Sequence, residues 1–200
     1  MSFFASRWVD APEHVAEVSG LAAGFRASGV ACGIKASGAS DLGLLVSDAD
    51  QTVSAARFTR SGMLAAPVLL CQERCDLGGL RAIVANSGCA NAATGRRGFD
   101  AAAKVQGAGA LAAGVPESAV ALASTGGIAH HLPVDRVVDG LAEARADLAP
   151  DGDVALAEAI RTTDAFPKRV SLEVELPSGK VRVSAQAKGC LLYTSDAADE

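Results

Sequence analysis

Two stretches of the chain repeat apolar residues at the spacing of an amphipathic α-helix. Between residues 133 and 148 the apolar positions fall on one face and the charged positions on the others. These apolar positions are Val134, Val137, Val138, Leu141 and Leu148. A second, alanine-rich stretch over residues 100–113 ends at Gly114, a residue type that commonly terminates helices. With a shorter stretch over residues 153–160, the pattern predicts three helices.

Alternation of apolar and polar residues predicts strands, most clearly in the last third of the chain. Apolar residues alternate with Ser and Glu over residues 169–176, Pro177-Ser178-Gly179 turns the chain, and the alternation resumes up to Ala185. This pattern predicts a β-hairpin with one solvent-exposed face. Shorter apolar runs predict further strands over residues 42–46, 52–58, 68–71 and 80–85, the first two joined as a hairpin. Strands in pairs and helices in a cluster favour an α+β fold with a mainly antiparallel sheet.

Two polar segments that contain glycine follow predicted strands. The segment from Asn86 to Asn91 predicts a loop braced by its asparagine side chains. The segment Ser124-Thr125-Gly126-Gly127 follows an apolar run, and its glycines allow a sharp turn. Such a turn exposes backbone N–H donors beside the threonine hydroxyl, and donors of this kind can stabilise a developing oxyanion. From these residues alone, a plain glycine-rich turn is the alternative.

The composition excludes several classes of partner. Half of the 200 residues are hydrophobic, only 4% are aromatic, and the net charge is −5. A negatively charged chain with few aromatic side chains is a poor match for nucleic acid or an anionic membrane. No apolar run approaches the roughly 18 residues of a membrane span, and the first residues lack the pattern of a signal peptide. We therefore expect no nucleic acid partner, no membrane partner and a cytoplasmic location.

The cysteines indicate reduced thiols. The five residues Cys32, Cys71, Cys75, Cys89 and Cys190 form an odd and scattered set, which does not resemble a disulfide framework. Cys71 and Cys75 are close in sequence, but no second Cys or His pair has the spacing of zinc ligands. We expect no metal site.

Seven short motifs resemble the ornithine acetyltransferase family, also known as the bifunctional glutamate N-acetyltransferase or ArgJ family. They are Gly24-Phe25-Arg26-Ala27 with Gly33-Ile34-Lys35, Asp41-Leu42 with Val46-Ser47-Asp48, Ala65-Ala66-Pro67-Val68-Leu69-Leu70, Asn86-Ser87-Gly88, Ala123-Ser124-Thr125-Gly126, Thr162-Thr163-Asp164 with Phe166-Pro167-Lys168, and Ala187-Lys188-Gly189. Each motif is weak alone, but their order over residues 24–189 makes the resemblance strong. It covers most of this chain and the first half of the family's length.

The resemblance implies a fold and an activity. The fold would be the αββα sandwich of ArgJ- and DmpA-like proteins, here incomplete because the C-terminal half is missing. In the family, the precursor cuts itself before a threonine, whose hydroxyl is the nucleophile and whose α-amino group acts as its base. Acetyl passes from N-acetylornithine to this threonine and then to glutamate, in arginine biosynthesis. The implied partners are these two substrates, the β-chain of the same precursor and a second αβ pair in an α2β2 oligomer. No cofactor is implied, apart from acetyl-coenzyme A as an acetyl donor in bifunctional members.

The resemblance also assigns site residues. Thr125 and Gly126 match the oxyanion-hole pair, and Thr162 and Lys188 match substrate-binding positions, where the lysine ammonium would meet a substrate carboxylate. Asp164 is expected to brace its loop rather than to react. Some positions depart from the family pattern: Cys89 replaces an asparagine, Gly127 replaces a bulkier residue, and His130-His131 replaces Gly-Glu. We expect the two histidines to lie on the surface.

Residues 190–200 depart most from the family pattern. By family spacing the nucleophilic threonine would fall at Asp199, and an aspartate cannot replace it. Thr194 and Ser195 have no matching sequence around them, so this chain is assigned no nucleophile. We expect residues 1–189 to form a partial N-terminal (α-chain) domain and residues 190–200 to be a non-native tail, the translation of a sequencing adapter. The chain alone is then expected to be inactive and to expose an apolar face that the missing half would cover.

Two other functions stay open at this point. One is a self-cleaving amidohydrolase or aminopeptidase of the same fold, which would pass the acyl group to water instead of glutamate. The other is a non-catalytic module that binds a small molecule through its glycine-rich loops.

Overall fold

The computed structural model describes residues 10–188, and these contain four α-helices and a short 3-10 helix. The helices are α1 (Ala66–Arg74), α2 (Gly95–Ala113), α3 (Val134–Ala146) and α4 (Asp153–Ala159), with the 3-10 helix at Glu117–Ala119. Helix α2 ends at Gly114, which has φ +70° and therefore adopts the left-handed conformation that glycine favours. The three helices predicted from apolar spacing are confirmed as α2, α3 and α4, although α2 begins five residues earlier than expected, at residue 95 rather than 100.

Seven strands of the same described region form two sheets. They are β1 (Val15–Glu17), β2 (Phe25–Val30), β3 (Leu42–Ser47), β4 (Ala82–Cys89), β5 (Val120–Gly127), β6 (Lys168–Leu176) and β7 (Gly179–Ala187). A four-stranded sheet has the order β2-β3-β4-β5, and a three-stranded sheet has the order β1-β6-β7. All neighbouring pairs are antiparallel except β4 and β5, which run parallel because α2 crosses over between them. The predicted α+β fold with mainly antiparallel sheets is therefore confirmed.

Helices α2 and α3 cover one face of the four-stranded sheet and form the main core with it. The side chains buried at this interface are small or medium aliphatic groups that interlock closely. They include Leu42, Leu44, Val46, Val84, Val105, Val120, Val137 and Leu141. Helix α1 packs against α2 and along β5, the strand at one edge of this sheet among the described residues.

Helix α4 packs on the opposite face of the same sheet, over β2 and β3. The contact is close because glycine lies at the crossing: a Cβ added to Gly29 would stand 2.1 Å from the carbonyl oxygen of Ala155. Leu156 and Ile160 complete a second, smaller core with Leu21 and Ala27. The part of this face that belongs to β4 and β5 is more open, with Ile83 37% exposed.

The β6–β7 hairpin is confirmed, but burial of its two faces does not follow the polarity of their side chains. Ser171 is 1% exposed, and its hydroxyl donates to the carbonyl oxygen of Gly20 at 2.6 Å. Val181 and Val183, on the apolar face, are 44% and 51% exposed. A polar side chain is thus buried against the body of the protein, while part of the apolar face lies open.

Four predictions about local structure are wrong. Residues 68–71 lie in helix α1 rather than in a strand, since Pro67 favours the first turn of a helix. Residues 52–58 are irregular and three of the seven are exposed, so the predicted hairpin with β3 does not form. Residues 86–89 continue β4, and residues 124–127 continue β5, because the two segments pair with each other.

Within residues 10–188, no helix is both long and apolar enough to cross a lipid bilayer.

Candidate active site

Near the paired ends of β4 and β5, Gly88 and Gly126 contact each other through backbone atoms alone. Gly88 lies opposite Gly126 in the parallel register. A Cβ added to Gly126 would stand 2.3 Å from the carbonyl carbon of Gly88 and 2.5 Å from the nitrogen of Cys89. Gly126 also has φ +140°, a conformation that residues with a side chain rarely adopt. Glycine is therefore required at position 126 both by space and by backbone conformation.

Thr125 and Gly126 offer two hydrogen-bond donors in different directions. Thr125 pairs with Ser87, so its half-buried side chain projects on the face of the sheet that carries α4. The Leu122 N–H donates to the sulfur of Cys71 (3.2 Å) and thus points away from β4. Because N–H directions alternate along a strand, the Gly126 N–H points to that same outer side. A hydroxyl and an amide on adjacent residues can together stabilise an oxyanion.

Asn86 braces the end of β4 from within. Its amide nitrogen donates to the carbonyl oxygen of Cys89 (2.8 Å), and its amide oxygen accepts from the Ser124 hydroxyl (2.6 Å). Asn86 is 4% exposed, so these bonds are shielded from water. The sequence predicts that asparagine braces this segment, and Asn86 does so, although within a strand rather than a loop. The position of Ser124, next to Thr125, is fixed by the same side chain.

Lys188 reaches the same part of β4. Its ammonium group donates to the carbonyl oxygen of Asn86 at 3.1 Å. The neighbouring Ser87 is fully buried, and its hydroxyl donates to the carbonyl oxygen of Ala159, the last residue of α4, at 2.5 Å. The end of β4 therefore joins β5, the C-terminal end of α4 and the residue that follows β7.

Thr162 lies in the short connection between α4 and β6. Its backbone N–H donates to a carboxylate oxygen of Asp164 at 3.4 Å. The other oxygen of Asp164 accepts from Lys168 at 2.7 Å, and the Asp164 side chain is only 3% exposed. Asp164 thus braces the connection, as expected. Thr162 follows Ala159 by three residues, so it belongs to the same end of α4.

The loop before β3 is held by Asp41, a role that the sequence did not predict. Its buried carboxylate accepts backbone N–H bonds from Cys32 (2.7 Å), Ile34 (2.6 Å) and Lys35 (2.8 Å). Held in this way, Ile34 and Lys35 lie against Gly88, where an added Cβ would stand 2.9 Å and 3.3 Å from their side chains. Asp41 belongs to one of the family motifs. The sequence feature that could have indicated its bracing role is an acidic residue directly before a buried strand.

Lys35 places at this end of the sheet an ammonium group whose pKa is lowered. Burial lowers the pKa of the Lys35 ammonium group, and the nearby carboxylates of Asp41 and Glu158 partly oppose that shift. The ammonium donates to the carbonyl oxygen of Ser40 at 2.6 Å. The guanidinium of Arg161 lies close enough to Lys35 to lower the same pKa further. Lys35 and Arg161 thus bring two cations to the C-terminal end of α4, close to Glu158.

The predicted site residues converge on one part of the fold. Thr125, Gly126 and Lys188 lie around the end of β4, and Thr162 lies beyond the adjoining end of α4. His130 and His131 are exposed, as predicted. The segment 190–200, with Thr194, Ser195 and Asp199, lies outside the described residues. In the described part, no three His, Cys, Asp or Glu side chains are placed to hold a metal ion.

Sequence comparison connects this arrangement to known proteins. The sequence model of the ArgJ family matches residues 26–198. The arginine biosynthesis bifunctional protein ArgJ of Symbiobacterium thermophilum is 43% identical over 169 residues, which are 84% of this chain and 42% of that protein. The glutamate N-acetyltransferase of Methanothermobacter thermautotrophicus is 42% identical over 151 residues, which are 74% of this chain and 37% of that protein. The chain therefore spans less than half the length of these curated relatives.

Structure comparison gives the same result. The crystal structure of ornithine acetyltransferase from Mycobacterium tuberculosis, complexed with ornithine, matches with a TM-score of 0.80 and 37% identity, over 89% of this chain and 95% of that chain. The ArgJ protein of Bacillus halodurans matches with a TM-score of 0.77 and 32% identity, over 89% of this chain and 95% of that chain. These matches confirm the predicted ArgJ-like fold. The chain belongs to the ArgJ family.

Proposed function

We propose that this chain is part of a glutamate N-acetyltransferase, which moves acetyl from N-acetylornithine to glutamate in arginine biosynthesis. The observation that carries the proposal is the convergence of Thr125, Gly126 and Lys188 around the end of β4. These residues would supply two donors for an oxyanion and an ammonium group that can pair with an amino-acid carboxylate. Relatives named glutamate N-acetyltransferase and a structural match complexed with ornithine support the assignment.

The proposed reaction has two half-reactions. A threonine hydroxyl attacks the acetyl carbonyl of N-acetylornithine, the C–N bond breaks, and the proton from the hydroxyl goes to the departing α-amine of ornithine. The amine of glutamate then attacks the acetyl-threonine ester, and the threonine recovers its proton. Each attack places negative charge on the carbonyl oxygen, where the Thr125 hydroxyl and the Gly126 N–H would donate. Lys188 and Thr162 would hold the substrate's polar groups.

The proposal places the nucleophilic threonine outside this chain. The chain would supply the oxyanion donors and part of the substrate pocket, and the β-chain of the same precursor would supply the nucleophile, within an α2β2 oligomer. The chain by itself is then inactive, and residues 190–200 are a non-native tail. Mass spectrometry of the chain incubated with N-acetylornithine tests this point, because an acetyl adduct on any residue would contradict it.

The compartment and the cofactor requirement follow from the same proposal. A cytoplasmic location agrees with the scattered thiols that the sequence shows. No cofactor is needed for transfer between the two amino acids. Acetyl-coenzyme A would serve only as a second acetyl donor, and an assay of the complete protein with acetyl-coenzyme A and glutamate tests that role.

The decisive experiment compares Thr125→Ala with Thr125→Ser in the complete protein. Loss of one oxyanion donor is expected to lower kcat by about 10²–10³-fold, whereas serine keeps a hydroxyl and most of the rate. Ornithine release from N-acetylornithine is measured with and without glutamate. Release that depends on glutamate supports transfer, and equal release without glutamate would indicate the amidohydrolase alternative instead.

Lys188→Met tests the substrate contact separately. Without the ammonium group, KM for N-acetylornithine is expected to rise by about tenfold or more, because a charge-assisted hydrogen bond is lost. An N-acetylated amine that lacks the carboxylate serves as the matched substrate, and its KM should be the same in both proteins. If both substrates lose affinity equally, Lys188 does not bind the carboxylate. Calorimetry of the chain with ornithine tests the non-catalytic binding alternative.

A further inference from the structure

Two cysteines that the proposed reaction does not use lie together at the end of α1. Cys71 is in the last turn of the helix and is 1% exposed. Cys75 follows the last helical residue and has an extended backbone, with φ −89° and ψ 140°. The two thiols are one helical turn apart, and both sulfur atoms lie against the outer edge of β5. Both are free of disulfides.

The pair covers the outer edge of β5. The Cys71 sulfur accepts the Leu122 N–H (3.2 Å), and the Cys75 thiol donates to the carbonyl oxygen of Val120 (3.2 Å). The amide nitrogen of the fully buried Gln106 donates to the same carbonyl (3.1 Å) and to the Cys75 sulfur (3.4 Å). Since the backbone groups of this edge have no neighbouring strand among the described residues, these side chains satisfy them.

The two thiols differ in acidity in a way that suits a reactive pair. Interaction with the neighbouring Cys75 thiol lowers the pKa of Cys71 to about 7, and the Leu122 N–H supports the same shift against the opposing effect of burial. Interaction with Cys71, together with burial, raises the pKa of Cys75. The thiolate is the nucleophilic form of cysteine, so Cys71 carries the nucleophile and Cys75 carries the proton.

We propose that Cys71 and Cys75 form a peroxide-sensitive dithiol site that releases the edge of β5 when it is oxidised. The Cys71 thiolate attacks one oxygen of hydrogen peroxide, the O–O bond breaks, and hydroxide leaves, which takes up a proton to become water. The sulfenic acid formed on Cys71 is then attacked by the Cys75 sulfur. The S–S bond forms, the S–O bond breaks, and a second water leaves with the thiol proton. Two thiols are oxidised and one peroxide is reduced.

Helix geometry allows this bond with a small local shift. Side chains one turn apart hold their Cβ atoms about 5–6 Å apart, and a disulfide needs about 3.5–4.5 Å. Cys75 lies outside the helix and can supply this shift, at the cost of its backbone N–H bond to the Cys71 carbonyl oxygen (3.2 Å). The Leu122 N–H and the Val120 carbonyl would then lose their sulfur partners. Both belong to β5, the strand that carries Thr125 and Gly126 near its end.

Tryptic mapping of the full chain tests the disulfide directly. Trypsin cuts after Arg60, Arg74 and Arg81, so Cys71 and Cys75 fall in the separate peptides 61–74 and 75–81. After treatment with hydrogen peroxide and blocking of remaining thiols, these two peptides are expected to be joined under non-reducing conditions and to separate on reduction. Cys32 is the matched control, because burial and Asp41 raise its pKa to about 12 and it should stay a thiol. An absent cross-link, or equal oxidation of Cys32, would overturn the proposal.

Single substitutions test which sulfur is oxidised first. In Cys75→Ser, peroxide is expected to leave Cys71 as a sulfenic acid that dimedone traps. In Cys71→Ser, Cys75 should show no dimedone adduct. The opposite pattern would overturn the order of the two steps. Because the wild-type peptide map needs no substitution, a variant that fails to fold leaves the main test intact.

Hydrogen exchange measures the effect on β5. Loss of one hydrogen bond is expected to speed exchange of the Leu122 amide about fivefold in the oxidised chain. The Leu44 amide, inside the four-stranded sheet, is the control and should not change. A cross-linked chain with unchanged exchange at Leu122 would overturn the release of the edge.

Discussion

The two sheets of the protein are stabilised in opposite ways. The four-stranded sheet has helices on both faces, and its central strands are closely packed, with Leu42 and Leu44 fully buried. The three-stranded sheet buries the hydroxyl of Ser171 against the backbone of Gly20, while Val183 is 51% exposed on its other face. Within residues 10–188, helices pack on both faces of the first sheet. The second has a hydrophobic surface that the described residues leave open.

This difference shows where the folding free energy of the chain lies. Burial of apolar surface is the main favourable contribution to folding, so the four-stranded sheet and its helices carry most of it. The hairpin β6–β7 is attached mainly by hydrogen bonds and by the ion pair between Arg169 and the buried Asp153 (2.6 Å). Substitutions in the two sheets should therefore differ strongly in effect.

The largest contrast is expected between two glycines with similar backbone conformations. Gly126 (φ +140°) contacts the backbone of Gly88, whereas a Cβ on Gly179 (φ +131°) would meet nothing within 4 Å. Gly126→Ala is expected to cost about 4 kcal/mol or more of unfolding free energy, through overlap as well as strain. Gly179→Ala should cost only about 1 kcal/mol, from strain alone. Urea unfolding followed by circular dichroism measures both, and equal costs would show that overlap is not decisive.

Truncation of apolar side chains gives the next contrast. Leu44→Ala is expected to destabilise the chain by about 3 kcal/mol, because it leaves a cavity in the main core. Val183→Ala should change stability by about 0.5 kcal/mol or less, because the side chain is already in water. Thermal unfolding of both variants provides the measurement. A large loss for Val183→Ala would mean that the chain covers this face after all.

Asp41→Asn tests the loop beside the candidate site. An asparagine has one acceptor oxygen and presents an N–H group where the carboxylate accepted hydrogen bonds, so the variant should lose about 2 kcal/mol of stability. Glu173→Gln is the control in the other sheet. Glu173 accepts a hydrogen bond from Lys180 at 2.9 Å, but this pair is exposed to solvent, so the variant should melt like the wild type. Proteolysis confined to the loop over residues 31–40 would agree with the assignment. If Asp41→Asn were as stable as the control, the three hydrogen bonds would have little net effect.

The smallest expected effect concerns the exposed ion pair between Arg26 and Asp48. Arg26 donates hydrogen bonds to the Asp48 carboxylate and thereby lowers the pKa of Asp48. The ion pair therefore contributes its full stabilisation at pH values above the ordinary carboxylate pKa. That contribution is lost as the pH falls through the lowered pKa. Asp48→Asn should therefore cost about 0.5 kcal/mol or less at neutral pH, after allowance for solvent screening, and nothing in acid. A cost that persisted at low pH or in high salt would contradict an ionic origin.

Strong local patterns made much of the fold predictable. The amphipathic spacing in α3 and the glycine after α2 predicted those helices, and alternation with a Pro-Ser-Gly turn predicted β6–β7. These signals depend on residues that are close in sequence. The prediction of a strand at residues 68–71 was wrong because a short apolar run fits a buried strand as well as a buried helix. Pro67 at the start of the run was the better guide.

Features that depend on distant partners could not be predicted. Residues 86–89 and 124–127 contain Gly, Ser and Asn, which favour turns, yet they form strands because they pair with each other. The exposed face of β6–β7 is another case, since alternation defines two faces but does not say which one meets the rest of the protein. For the site, the family motifs indicated Thr125, Gly126, Thr162 and Lys188. The hydrogen bonds by which Asp41 braces its loop could be recognised only in the folded structure.

The contact between Gly88 and Gly126 has a consequence for how this family can change over time. The distance between the two strand ends is determined by main-chain atoms, so drift in the surrounding side chains leaves it untouched. Conversely, a side chain at position 126 would demand a shift of the Gly88 backbone, and a side chain at position 88 would demand a shift of Ile34 and Lys35 in the neighbouring loop. Glycine should therefore be inherited at both positions wherever the threonine beside them is retained.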